Sequence, residues 1–173
     1  VYNAMLEQAL VNGRGWVEVS VYPLFSPQSL IAEGSANHGV LMAFPGAERA
    51  AFEREVLFPL AGLDPALAEP NAAVRVVMEA LNHARNEVAR RYLAGEVDST
   101  GAARLLERWW LVTPEAAAKS VRFIDGYRSY VINYNLGRDL VQAWVERAGT
   151  DPAARWRRFG ELLASPRLPG DLK

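Results

Sequence analysis

At Ser26-Pro27, Thr113-Pro114 and Asp151-Pro152, a residue whose side chain can accept from free backbone N–H groups is followed at once by proline. Such pairs start helices. The side-chain oxygen caps the first turn, and proline at the first helical position gives up an N–H that would have no partner there. Gly13, Pro45-Gly46 and Gly95 supply the stops. Between these marks apolar residues recur at three- and four-residue intervals, as in Tyr2, Leu6, Ala9 and Leu10, or Leu105, Leu106, Trp109 and Trp110. Trp16 to Tyr22 alternates like a strand, but a lone strand has nothing to pair with, so it is read as an extended or irregular connector.

The fold class is therefore all-α, an irregular bundle of six or seven helices. One helix runs from Pro27 to about Phe44, and a second, amphipathic one from Ala47 to about Leu60. A long helix from Pro70 or Asn71 to Leu93 buries Val74, Val77, Met78, Leu81, Val88 and Tyr92. Ser99 or Thr100 caps the next. The segment from Thr113 can stay helical to about Arg147, and a last helix spans Asp151 to Leu163.

With 173 residues, half of them hydrophobic, the chain suffices for one well-filled core, expected over residues 1–165 with a loose tail at 166–173. Lys and Arg total 19 against 20 acids, so despite a local group at Arg155, Arg157 and Arg158 there is no broad basic field for nucleic acid. No apolar run is long enough to cross a membrane as a helix, and without cysteine there is neither a disulfide nor a thiolate site. Val1 enters directly into helical rhythm with no capping residue before it, which reads as a fragment cut within a helix of a larger domain. The compartment stays open.

Glu33 is the first candidate for chemistry. It lies between Ala32 and Gly34, with Ala36 and Asn37 on the same helical face, so a carboxylate projects from a wall of very small neighbours. Such a setting admits a metal, a substrate or another backbone; the structural alternative is an acid paired with an arginine. His38 follows five residues later, able to swing toward the same cleft or to sit on its rim. Tyr127, Tyr130, Tyr134 and Gly137 form one helical stripe with Asn133 at its edge and Arg128 beside it. Buried tyrosine hydroxyls need partners, so this stripe either lines a polar cleft with donors for a developing oxyanion or is a half-buried face whose hydroxyls reach water. Glu79, His83 and Glu87 stack at four-residue spacing as a possible ligand set, or as a solvated face with ordinary ion pairs.

The order Glu-Gly-x-Ala at Glu33 to Ala36, a long charged helix, and a late Tyr-x-x-Gly at Tyr134 to Gly137 resembles the C-terminal part of bacterial zincin-like metallopeptidases, the group known as domain of unknown function 885. The resemblance implies an all-helical fold in which Glu33 is the third zinc ligand. It also implies that the other ligands, a two-histidine motif, lie upstream of Val1, and that Tyr134 stands near the site. Where many members carry Trp and Tyr after Glu-Gly this chain has Ser35 and His38. Where they carry Pro-Gly-Gln before the late tyrosine it has Arg128-Ser129-Tyr130, so substrate preference does not transfer.

Together these features point to the C-terminal portion of a zinc-dependent metallopeptidase or related amide hydrolase acting on a peptide or small amide. Zn is the cofactor of the full-length parent, Glu33 the metal ligand, and Tyr134, Tyr130, Arg128, His38 and His83 the candidate catalytic residues. The competing expectation is a non-catalytic helical scaffold or protein-interaction domain.

Overall fold

The computed structural model describes residues 1–172. Lys173, the last residue of the expected tail, lies outside the described residues. In chain order the helices are α1 (Tyr2–Leu6), α2 (Pro27–Ala43), α3 (Glu48–Phe52), α4 (Phe58–Leu60), α5 (Ala68–Leu81), α6 (His83–Leu93), α7 (Ser99–Trp110), α8 (Pro114–Tyr127), α9 (Leu136–Glu146) and α10 (Pro152–Leu163). A π-helical stretch, Glu7–Asn12, continues α1, and another, Glu53–Leu57, joins α3 to α4. No strand occurs among the described residues, and the seven longer helices match the all-α expectation. Trp16 to Tyr22 is a connector, as expected, and winds locally into a 3-10 turn at Val17–Ser20.

Where one domain was expected, the chain groups into two compact units, Val1–Met42 with 132–172 and Ala43–Val131. In the first, Tyr2, Leu6 and Leu10 meet Ile31 of α2, Val141 and Val145 of α9, and Phe159, Leu162 and Leu163 of α10. Each is nearly solvent-free, and burial of such side chains is worth about 1.5–3 kcal/mol apiece. Leu172 closes this core from a 3-10 turn at Pro169–Leu172, and Arg147 donates to its carbonyl at 2.8 Å. The end of the chain is thus anchored rather than loose through residue 172.

The second unit is built on Val88, Ala102, Leu106, Ala117 and Val121 from α6, α7 and α8. The long helix expected to Leu93 is interrupted at Asn82, between α5 and α6. Its expected buried stripe also fails in the first half. Val74 and Val77 are more than half exposed, because α5 turns Arg75 inward to Glu53 instead. Arg75 holds that buried carboxylate through two bonds, 2.6 and 3.0 Å, and Arg49 adds a third at 3.1 Å.

Local capping follows the sequence in two of four places. Thr113 accepts from Ala116 N–H, and Asp151 from Ala153 and Ala154 N–H, each ahead of a first-turn proline. Asp98, rather than Ser99 or Thr100, caps α7 by accepting from Gly101 N–H at 2.7 Å. Ser26 precedes α2 as anticipated, but its hydroxyl is buried with no hydrogen-bond partner.

Candidate functional site

Glu33 lies on α2, half-buried, next to the tightest helix crossing of the first unit. A methyl group built on Gly34 would fall on the carbonyl of Gly137 and 2.9 Å from Arg138 N, and one on Gly137 would come within 2.5 Å of Leu30 O. The two helices touch backbone to backbone, and only glycine on both sides permits it. The small-residue wall around Glu33 is therefore shaped in part by α9, whose second residue is Gly137. One turn after Glu33, Asn37 donates from Nδ2 to the Tyr134 carbonyl at 3.0 Å and fixes the approach of the chain to α9. Asn135, buried, caps that helix from its own side chain at 2.7 Å.

The tyrosine stripe does not form. Helix α8 ends at Tyr127, and Arg128 takes φ 53°, ψ −128°, a backbone conformation that no L-residue continues as a helix. A 3-10 turn, Arg128–Asn133, follows, and α9 begins only after Asn135. The chirality of one residue thus divides the expected face. Tyr134 belongs to the first unit beside Asn37, while Tyr127 and Tyr130 belong to the second. There Tyr127 stacks on Phe123 at 4.6 Å and leans on the buried Tyr130 at 5.9 Å, forming an aromatic cluster. Arg128 is exposed at the corner.

His38 is not on a cleft rim. It is 5% exposed, sits edge-on to Phe159 of α10 at 5.7 Å, and neither ring nitrogen has a hydrogen-bond partner. Burial holds its pKa below the usual histidine value; Glu146 opposes that effect, and Arg138 and Arg155 reinforce it. A neutral, packed imidazole is the result.

In the second unit His83 is exposed at the first position of α6, past the break at Asn82. Glu87 is already engaged: Arg90 binds both its oxygens at 2.9 and 3.0 Å, and Arg91 binds at 2.8 Å. These arginines hold its carboxyl at a pKa of about 2. Glu79, His83 and Glu87 do not assemble a ligand set, because the carboxylate at its end serves the helix's own ion pairs. Among the described residues no group of three His, Cys, Asp or Glu side chains is placed to hold a metal ion. Glu33 itself is half-buried on α2, beside the buried Gly34 and Ser35.

Sequence reasoning named Gly34 among the small neighbours of Glu33 that admit another backbone, and Gly137 on the late stripe, but did not pair the two glycines with each other. The signal was available as a glycine inside each of two helical patterns, Gly34 and Gly137, a costly choice unless backbones meet. Compared with protein-family models, curated proteins and solved structures, the chain matches none.

Proposed function

We propose that the first unit supplies the carboxylate wall of a zinc-dependent peptidase or related amide hydrolase, with Glu33 as a metal ligand and the remaining ligands contributed from outside residues 1–173. The observation that carries this reading is the setting of Glu33. It is a half-buried acid at a glycine-on-glycine crossing, one turn from the Asn37 side chain that holds the Tyr134 backbone. When bound, zinc polarises an amide carbonyl and makes a water acidic enough to attack it near neutral pH. Glu33 provides negative charge and one oxygen. The Gly34–Gly137 contact keeps that oxygen's helix in place, and the Tyr134 hydroxyl is assigned to donate to the oxygen on which charge develops.

The test uses a chain that includes the residues preceding Val1. Glu33→Gln lowers zinc content and amide hydrolysis together, whereas Tyr134→Phe keeps the metal and lowers turnover by about 10²–10³. Full zinc and full activity in folded Glu33→Gln refute the assignment. The second reading, a helical interaction domain, is favoured by the valines of α5: Val74, Val76 and Val77 are all more than half exposed. It becomes the better one if that longer chain neither binds zinc nor hydrolyses amides.

A further inference from the structure

In the second unit, helix α5 turns its charges inward and its apolar side to water. Ala68 is fully buried, Arg75 reaches in to Glu53, and the half-buried Glu79 lies within the field of Arg75. The opposite side carries Val74, Val76 and Val77, which are 59%, 70% and 57% exposed, with Pro70, Ala73 and Ala80 exposed among them. Glu69, the remaining ionised side chain of the helix, is held toward Arg54 at 3.6 Å. The outer face between Pro70 and Leu81 is therefore apolar and uncharged.

This face has a regular beat. Leu67, Pro70, Val74, Val77 and Leu81 follow at intervals of three, four, three and four residues, the spacing of the a and d positions of a coiled-coil seam. A seam with that period receives the side chains of another helix. It also reads alike from either end, because Leu67 and Leu81 stand seven residues before and after Val74. An antiparallel copy of α5 would set Val74 against Val74, and Leu67 of each copy against Leu81 of the other. The borders, Ala73 and Ala80 on one side and Asn71 and Met78 on the other, carry no charge, so two copies meet without like-charge repulsion. Antiparallel alignment also brings the N-terminus of one helix beside the C-terminus of the other, which their dipoles favour. With more than half of each valine open, the face amounts to roughly 500–700 Å² per copy, against about 800 Å² per partner in a standard interface.

We propose that the outer face of α5 is a self-association surface whose occupant is α5 of a second copy of this chain, antiparallel about a two-fold axis at Val74. A face toward the lower end of the standard size gives a weak dimer that forms as concentration rises. This contact builds on the reading of the exposed valines as an interaction face and is independent of Glu33. Zinc content and amide hydrolysis test the one, and self-association tests the other.

Sedimentation equilibrium of the protein from about 1 to 500 μM, where a face of this size associates, should show the mean mass climbing from monomer toward dimer. Val74→Glu sets two carboxylates against each other across the axis and weakens association by about a hundredfold. Val74→Lys does the same with two ammonium groups. Mixed in equal amounts, the two variants bring opposite charges together and recover the dimer, a rescue that requires residue 74 of one copy to face residue 74 of the other. Both variants keep the native urea midpoint at low concentration, because Val74 lies outside the core. Val21→Glu, at a valine 73% exposed in the connector before α2, leaves association unchanged. A protein that stays monomeric throughout overturns the proposal and leaves the seam to a helix of a different protein. A native dimer that Val74→Glu does not weaken overturns it too, as does a mixture no more dimeric than its components.

Discussion

The glycine crossing of α2 and α9 makes the sharpest demand on the structure, because one substitution should have opposite signs at different positions of the same unit. Glycine to alanine inside a helix gains about 1 kcal/mol from backbone propensity alone. At Gly160 of α10 nothing lies within 4 Å of the added methyl, so the full gain is expected. At Gly39 the methyl meets only the Phe159 ring at 3.7 Å, ordinary contact, and the sign stays favourable. At Gly34 it would enter the Gly137 backbone, and the listening neighbour is main chain that cannot turn aside as a side chain would. Overpacking of this kind costs about 1–3 kcal/mol when side chains yield, and more when a helix has to move. With the propensity gain subtracted, Gly34→Ala should lose about 2 kcal/mol, which for a chain of this size lowers the melting temperature by about 4–8 °C. Urea unfolding followed by far-ultraviolet circular dichroism, on Gly34→Ala, Gly39→Ala and Gly160→Ala side by side, measures all three. If Gly34→Ala is as stable as Gly160→Ala, the two helices do not touch at Gly34 and Gly137, and the wall beside Glu33 is not there.

His38→Leu should raise stability at neutral pH by about 1–2 kcal/mol, since it removes a buried ring whose nitrogens are unsatisfied. Because the folded His38 pKa lies below 6.5, the unfolded chain takes up a proton first as pH falls, so native stability declines below about 6.5. Urea midpoints at pH 7 and pH 5 should therefore differ less in His38→Leu than in the native protein, and an unchanged difference counts against the buried ring. In the second unit, Glu53→Ala should cost about 2–3 kcal/mol by leaving the part-buried Arg75 without its carboxylate. The Glu53 pKa is lowered, chiefly by the Arg75 hydrogen bonds. This contribution is therefore present above about pH 4.5 and lost on acidification, so the native protein should fall further than the variant between pH 7 and pH 3 in the same assay.

Features encoded by neighbours in sequence were legible. Thr113 and Asp151 cap their helices because a cap needs only the next few residues, and the Tyr2, Leu6, Leu10 face is buried because its period matches a helix. What depends on distant partners was not. The apolar residues of α5 occupy more than one face, and the Glu53 carboxylate, not periodicity, decides that Arg75 turns inward and Val74 outward. The end of α8 carries Gly126 but neither glycine nor proline at Arg128, the residue that takes the positive φ, so the position of the reversal that separates Tyr130 from Tyr134 is not announced locally. For the site, the acid and its small neighbours could be read directly. The burial of His38 against Phe159, and the gathering of Arg147, Arg158 and Arg167 on the Trp144 indole, are products of tertiary packing.

The first unit is assembled from the two ends of the described chain, with Ala43–Val131 between them in sequence. On a ribosome, Leu6 and Leu10 emerge long before Val141, Val145 and Leu162, the residues that bury them. At about 5–20 residues per second, the leading helix waits on the order of ten seconds with its apolar face uncovered. The middle segment, whose core partners lie closer together in the chain, has no such delay. Synthesis therefore exposes the Tyr2, Leu6 and Leu10 stripe as the natural target of a holding chaperone, and the order of folding runs from the middle of the chain outward.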